Sequence, residues 1–341
     1  MKMPAASQRS LPRKAQASVG ALAVACVLLG CAETRDLGST EPHGLLPVDE
    51  RNPVLVANDN VYDNWQGEYS ILLANSGGPP LAGIIVSTSP PWPDIEANIA
   101  GWRQLVSAAT GSGLRGVPDP VTSIGEPLVR PSNGRIEATV ANRSEGARLI
   151  LDASARLSLP YRPLVVATGG RLTDVADAYL MDPTVSDRVV VVSSLGTTSD
   201  SGAAMAAPNG EMDPWADVIV SSRFRFVQVS AFYNQVDDVP SSRLSELPNN
   251  PFGAWISGKQ AKVWSLPQAA DQVSLLAAGL PKFSVVVQRV SAAADPGPGA
   301  SAGPDLRTDP NGGAWLVSQC ACTQASDRLW QALLDTANYQ Q

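Results

Sequence analysis

The sequence predicts an α/β protein with a mostly parallel, open and doubly wound sheet. From residue 52 onward, short β-branched runs alternate with helical patterns, which is typical of a sheet covered by helices on both faces. The runs are continuously apolar, as expected for strands that are buried on both sides. The predicted strands cover residues 53–58, 83–88, 163–168, 188–194, 225–230 and 283–290, with a closing strand at 314–320.

Helical patterns separate these runs. In the first, Trp65, Tyr69 and Leu72 share one helix face, which predicts a core-facing helix. The amino-acid composition does not change between residues 52 and 290, so residues 52–341 are predicted to form one domain. An Ala-, Gly- and Pro-rich surface loop is predicted at 291–313. Further helices are predicted up to Gly111, at 172–182 and at 327–337.

The N-terminal segment has the pattern of a bacterial export signal. Four basic residues precede an apolar run from Val19 to Leu29, which is too short to span a membrane as a mature helix. The run ends in Leu28-Leu29-Gly30-Cys31, which resembles the lipobox of bacterial lipoproteins and implies a lipid on Cys31; a plain signal peptide is the alternative. Residues 1–30 are therefore predicted to be the signal peptide and 31–51 a tether. By the lipoprotein pattern, Ala32 favours the periplasmic face of the outer membrane.

Charge and histidine content exclude several function classes. Removing the signal leaves 21 basic and 32 acidic residues, a net charge of −11, which argues against nucleic-acid binding. The single histidine, His43, lies in the tether, so catalytic sites that need a positioned imidazole are excluded from the folded body. "GSGLRG", residues 111–116, matches a dinucleotide fingerprint only in letters, because it follows a helix instead of a strand. Cys320 and Cys322 fit a local disulfide or two packed thiols about equally.

The loop after the first predicted strand concentrates oxygen-bearing side chains. It runs "ANDNVYDNW" from Ala57, and it lies at the carboxyl end of a strand, where open α/β sheets bind ligands. Asp59 and Asp63 could converge there on a cation or a polyol, whereas an EF-hand fails because Val61 occupies a ligand position. The alternative is structural: Asn58, Asp59 and Asn60 cap the turn while Asp63 or Asn64 caps the next helix.

Five segments in order resemble the inosine-uridine-preferring nucleoside hydrolase family. In that family the first loop runs D-x-D-P-G-x-D-D after a strand; Asp59, Asp63 and Asn64 fall on its last three acids. The other segments are "LAGIIVSTS", "EPLVRP", "ATGGRLTDVADAYLMDPTVSDRVVVVSSLG" and "NGEMDPWAD", and Asp271 lies ten residues before Pro281.

The resemblance covers roughly residues 52–290 and implies a Rossmann-like nucleoside hydrolase domain with bound calcium. The family's metal holds the ribose hydroxyls and a water, and an aspartate takes the proton of that water as it attacks C1′. By this resemblance Asp63 is the general base and Asn209 a ribose contact. Asp59, Asn64, Thr168 (through its carbonyl) and Asp271 are the calcium ligands, and Asp271 also lies at the substrate.

Several positions depart from the family pattern. Asn64 replaces a calcium-binding Asp and should weaken the metal site, Ala270 replaces a histidine that protonates the leaving base, and Ala207 replaces a sugar-binding glutamate; Ser89 or Pro90 stands for an asparagine. The prediction is therefore an N-glycosidase for a ribonucleoside or related glycoside. The alternative is a non-catalytic lipoprotein that binds a nucleoside or sugar. Neither hypothesis determines whether the protein forms an oligomer.

Overall fold

The computed structural model describes residues 48–62, 65–193, 209–228, 241–260, 286–293, 295–298, 313–319 and 322–340. Eight strands form one sheet in the order β3-β2-β1-β4-β5-β6-β8-β7. Every neighbouring pair is parallel except β7 and β8, so the mostly parallel sheet is confirmed. The strands are β1 (Val54–Asn58), β2 (Leu81–Val86), β3 (Pro120–Thr122), β4 (Leu164–Thr168), β5 (Val189–Ser193), β6 (Arg225–Gln228), β7 (Val286–Val290) and β8 (Ala314–Gln319).

Seven α-helices of the described residues cover both faces of this sheet. One hydrophobic cluster joins α1, α2, α6 and α7 to one face, and a second joins α3, α4 and α5 to the other. This two-sided burial explains the continuous apolar runs of β1, β4 and β5, whose residues are all buried. The helices are α1 (Gln66–Asn75), α2 (Ile95–Gly111), α3 (Glu145–Leu157), α4 (Thr173–Met181), α5 (Pro214–Arg223), α6 (Pro251–Gln260) and α7 (Cys322–Leu334).

Four elements were not predicted from the sequence. Strand β3 has three residues, too few to show a hydrophobic period. Helix α3 begins after its N-cap, Ser144, and is amphipathic. Helices α5 and α6 are bounded by Pro214 and Pro251, each at the first helical position, where the missing N–H costs nothing.

Of the predicted loop at 291–313, residues 291–293, 295–298 and 313 are described, and none of them is in a helix or strand. Asp295 in this loop pairs with Arg130, which fixes the loop against the segment after β3. No helix of the described residues is long and apolar enough to cross a bilayer. The predicted signal peptide, Cys31 and all but the last residues of the tether lie outside those residues, as does Cys320.

Candidate active site

The turn after β1 is locked by its own side chains. The Asn58 amide donates to Gln66 Oε1 at 2.6 Å, and its oxygen accepts the Asp59 N–H at 2.7 Å. Asp59 Oδ1 accepts the Asn60 N–H at 2.6 Å, and Asn60 Oδ1 accepts the Tyr62 N–H at 2.7 Å. The predicted capping of the turn is therefore confirmed. The N-cap of α1 is Trp65, however, so neither Asp63 nor Asn64 occupies that position.

Asp59 is an acid in the interior. It is only 2% exposed, and the Trp102 indole N–H donates to its carbonyl at 3.1 Å, which holds the backbone against α2. Burial raises the pKa of the Asp59 carboxyl, and the Ser89 hydroxyl and the Arg171 guanidinium offset part of that rise. Turn capping alone does not require such burial, since exposed Asp residues cap turns equally well.

The ends of strands β1, β2 and β4 meet at this edge of the sheet. Gly169 N–H donates to the Ala57 carbonyl, and Ser87 N–H donates to the Asn58 carbonyl, both at 2.9 Å. A side chain at Gly169 would lie 2.3 Å from the Asn58 amide nitrogen, so only glycine allows β4 to come this close to the turn. Thr168, the last residue of β4, is fully buried beside Ala57.

Arg171 is a site residue that the sequence analysis missed. Its Nε donates to the Thr88 carbonyl and its Nη2 to Thr88 Oγ1, both at 2.6 Å, which ties the β4–α4 turn to the end of β2. Its positive charge acts on three buried acids, namely Asp59, Asp174 and Asp213. The available signal was a charged residue directly after Gly169-Gly170 at the carboxyl end of a buried strand.

Asp213 joins three of the segments on which the resemblance was based. Its Oδ2 accepts the Leu128 N–H at 2.9 Å and the Thr173 hydroxyl at 2.7 Å, and its Oδ1 accepts the Ala216 N–H at 3.0 Å as the N-cap of α5. These bonds connect "EPLVRP", "TGGRLTD" and "NGEMDPWAD". Asn209, the predicted ribose contact, is 5% exposed and begins the 3₁₀ turn that leads into Asp213.

Comparison with solved structures identifies the architecture. An inosine-uridine-preferring nucleoside hydrolase from Bacillus anthracis superposes with a TM-score of 0.58 at 13% identity, covering 83% of this chain and 99% of that one. An inosine-guanosine nucleoside hydrolase gives 0.61 at 14% identity, covering 83% and 98%. The fold is that of the nucleoside hydrolases.

A third solved structure of similar fold belongs to a protein that is only related to the nucleoside hydrolases. A nucleoside hydrolase-related protein from Saccharophagus degradans, associated with carbohydrate metabolism, has a TM-score of 0.56 at 13% identity and covers 85% of this chain and 72% of that one. No family model and no curated protein sequence matches the chain. The likeness therefore lies in the fold and not in overall sequence.

The described residues contribute only part of a calcium shell. Asp59 and the Thr168 carbonyl are hard oxygen donors at neighbouring strand ends, which suits calcium, but this ion takes about six to eight oxygens. Among the described residues, no three His, Cys, Asp or Glu side chains are grouped to hold a metal. Asn64 and Asp271, the other predicted ligands, lie outside those residues together with the predicted base, Asp63.

A buried ion pair lies in the helical layer next to the β1–α1 turn. Lys259 Nζ donates to Glu68 Oε1 at 2.8 Å, and the Trp255 indole N–H donates to the same oxygen at 2.7 Å. Lys259 Nζ also lies 4.4 Å from the centre of the Trp65 ring. Glu68 is in the first turn of α1 and Lys259 near the end of α6, so the pair connects these two helices.

Proposed function

We propose that the chain hydrolyses the N-glycosidic bond of a ribonucleoside or related glycoside. The observation that supports this most is the placement of Asp59: a buried carboxyl at the carboxyl edge of a sheet with the nucleoside hydrolase fold. The nucleoside hydrolases of similar fold act on inosine, uridine and guanosine, as their names state. The proposal also includes other glycosides, because one protein of similar fold is associated with carbohydrate metabolism.

In the proposed reaction, Asp63 accepts a proton from the water that attacks C1′. The new bond joins the water oxygen to C1′, and the bond between C1′ and the base nitrogen breaks with its electron pair going to the base. Asp59, Asn64, Asp271 and the Thr168 carbonyl would hold calcium, which supplies Lewis-acid contact to the sugar hydroxyls when bound. Asn209 holds the ribose. Because Ala270 cannot donate a proton, another group or solvent protonates the leaving base.

Neighbouring acids also stabilise the positive charge that develops on the sugar as the bond breaks. Asp59 serves this purpose well, since its carboxyl is held by the turn and lies away from solvent. A fixed charge in a dry site requires no rearrangement when the transition state forms.

The second candidate is a binding lipoprotein that has lost catalysis. The residues Asn64, Ala207 and Ala270 favour it. By the family resemblance they replace a negatively charged metal ligand, a sugar-binding glutamate and the proton donor to the leaving base. In either case we propose that the protein is attached by a lipid on Cys31 to the periplasmic face of the outer membrane.

The test is ribose release from a panel of ribonucleosides, with added calcium and again with a chelator. The wild-type chain should release ribose, and Asp63→Ala should lower the rate by about a hundredfold or more. Asp152→Ala, on the exposed surface of α3, is the matched control and should leave the rate unchanged. Equal rates for wild type and Asp63→Ala would remove the proposed base. If the wild-type chain binds a nucleoside in a separate binding assay but releases no ribose, the non-catalytic binding candidate is favoured instead.

A further inference from the structure

The tight turn between α3 and β4 presents apolar side chains to solvent. Leu159 and Arg162 exchange two backbone hydrogen bonds of 2.9 Å, so the residues between them form the tip of a two-residue hairpin. Tyr161 at this tip is 89% exposed and Leu159 is 54% exposed, and Pro160 between them is exposed as well. Tight turns favour Gly, Asn, Asp, Ser and Pro, so turn formation does not explain the exposed leucine and tyrosine.

The base of this hairpin is fastened to the domain. The Ser158 hydroxyl donates to the Arg188 carbonyl at 2.9 Å and accepts the Leu164 N–H at 3.0 Å. The ring of Pro160 fixes one backbone angle of the turn itself. A segment that is already ordered loses little conformational entropy when it binds, so the tip is well prepared for contact with a partner.

The hairpin lies where the proposed tether enters the domain. The Asn52 side-chain amide donates to the Pro163 carbonyl at 2.8 Å, which holds the start of β1 beside the end of the hairpin. Only residues 32–47 separate Cys31 from Val48, the first described residue, and a chain of this length spans at most about 60 Å. A lipid on Cys31 therefore keeps the hairpin within this distance of the bilayer.

The hairpin and the candidate active site lie at opposite ends of the sheet. The hairpin precedes Leu164, the first residue of β4, whereas Asp59 follows the last residue of β1, which is parallel to β4. A domain that rests on a bilayer through the hairpin therefore directs the carboxyl edge of the sheet, with Asp59, away from the lipid. A dissolved ligand then has free access to that edge.

A second group of exposed apolar side chains lies at the other end of the sheet. It consists of Ile124, Val129 and Val140, in the segment between the carboxyl end of β3 and the start of α3. Contact with a bilayer through this group would turn the candidate active site towards the lipid. It would also place the bilayer at the end of β1 opposite to the tether.

We propose that the Leu159–Tyr161 tip docks on the phospholipid bilayer to which the chain is attached. Leucine is favoured among the acyl chains, and tyrosine at the level of the headgroups, where its ring is buried and its hydroxyl stays hydrated. Arg156 and Arg162 flank the tip, where they suit lipid phosphates.

One turn binds a bilayer weakly by itself, but attachment of the chain makes the contact intramolecular and raises the effective concentration of lipid. The docking rests on the proposed attachment for its partner and does not depend on hydrolysis.

Tryptophan substitution combined with brominated lipids tests this contact. The lipidated mature chain with Tyr161→Trp is reconstituted in vesicles of phosphatidylethanolamine and phosphatidylglycerol, with and without bromine on the acyl chains. The emission added by the new tryptophan should fall about twofold or more with brominated lipid, because interfacial side chains lie about 5–10 Å into the boundary between headgroups and acyl chains. Val140→Trp, at a site 83% exposed at the opposite end of the sheet, is the matched control and should show no such fall.

A second form of attachment separates this docking from the proposed lipid on Cys31. The mature chain with Cys31→Ser and an N-terminal histidine tag is bound to the same vesicles through a nickel-chelating lipid. Quenching of Tyr161→Trp in this form supports the docking even if Cys31 carries no lipid. Adding Leu159→Ser to Tyr161→Trp should weaken the quenching in both forms, because it removes one of the two inserted side chains.

Three results would overturn docking through the hairpin. The first is no quenching of Tyr161→Trp in either form of attachment, and the second is equal quenching of Val140→Trp. The third is an emission of Tyr161→Trp that changes with protein concentration in the absence of vesicles, since this would assign the tip to contact with a second copy of the chain.

Discussion

At the scale of single residues, Glu68 and Lys259 are charged side chains placed in the core, 1% and 0% exposed. Removing both charges from water is costly, and the short contact between them recovers that cost only while the pair is intact. Two tryptophans complete the site, Trp255 by donating to the carboxylate and Trp65 by facing the ammonium. The pair therefore fixes the position of α6 against α1 more than it adds net stability.

Replacing one partner and then both tests this interpretation. Lys259→Met should lower the free energy of unfolding by about 3–5 kcal/mol, because Glu68 is left as an unpaired buried charge. The double variant Glu68→Leu with Lys259→Met should recover most of that loss. Urea unfolding of the wild type, the single variants Lys259→Met and Glu68→Leu, and the double variant gives the coupling energy. A double variant as unstable as the sum of two single variants would show that the pair does not act as a unit.

Arg171 and Asp59 differ in how far the sequence revealed them. Asp59 was predicted because the acids of a strand-end turn are visible in the chain itself. Arg171 was not, since its role depends on Thr88 and Gly125, which belong to other strand ends and are brought near only by the sheet order β3-β2-β1-β4. Single side chains that act through long-range contacts leave no local pattern.

At the scale of elements, helix α5 contains a fully buried acid, Asp217. Both oxygens of Asp217 lack hydrogen bonds among the described residues. Burial, together with the negative charge of Asp213 one turn earlier, raises the pKa of Asp217 to about 8. Asp217 is therefore largely protonated near neutral pH, while Asp213 holds the same end of α5 through its three hydrogen bonds.

This titration predicts how stability varies with pH. Between the ordinary value of 3.8 and about 8, the folded chain holds a proton on Asp217 that the unfolded chain has released. Raising the pH through this range therefore favours unfolding. Asp217→Asn cannot ionise, so it should raise the melting temperature, by several degrees at pH 8 and by less at pH 5.

Thermal unfolding of wild type and Asp217→Asn at the two pH values measures this effect. Asp152→Asn changes an exposed acid of α3 and should give nearly equal melting temperatures to wild type at both. A gain for Asp217→Asn that does not grow between pH 5 and pH 8 would contradict the assignment.

At the scale of the whole molecule, the sheet and its two helical layers were largely predictable. Strands buried on both faces appear as continuous apolar runs, and β1, β4 and β5 were found within a residue or two of their observed bounds. Elements that are short or begin at a proline, such as β3 and α5, showed too weak a hydrophobic periodicity to be predicted. The pairing of β7 with β8 was not predictable, because antiparallel addition at an edge depends on the connection between the strands and not on their composition.

The proposed lipid anchor also concerns the whole molecule. Cys31→Ser should move the protein from the membrane fraction to the soluble fraction of a bacterial host, because a serine cannot form the thioether to the lipid. Fractionation and immunoblotting of both forms measure this change, with Cys26→Ser as the matched control in the same apolar segment. A membrane-bound Cys31→Ser protein would contradict the lipoprotein assignment.

The position of β8 has a consequence for the order in which the chain can fold during synthesis. Among the described strands, β8 lies between β6 and β7, although it is the last of the eight to be made. Until residues 314–319 have emerged, β6 has an open hydrogen-bonding edge and β7 has no described neighbour to pair with. A nascent chain in this state exposes a template for association with other chains. The growing polypeptide thus depends on its final strand, and a ribosome that stalls before Ala314 releases a product prone to aggregation.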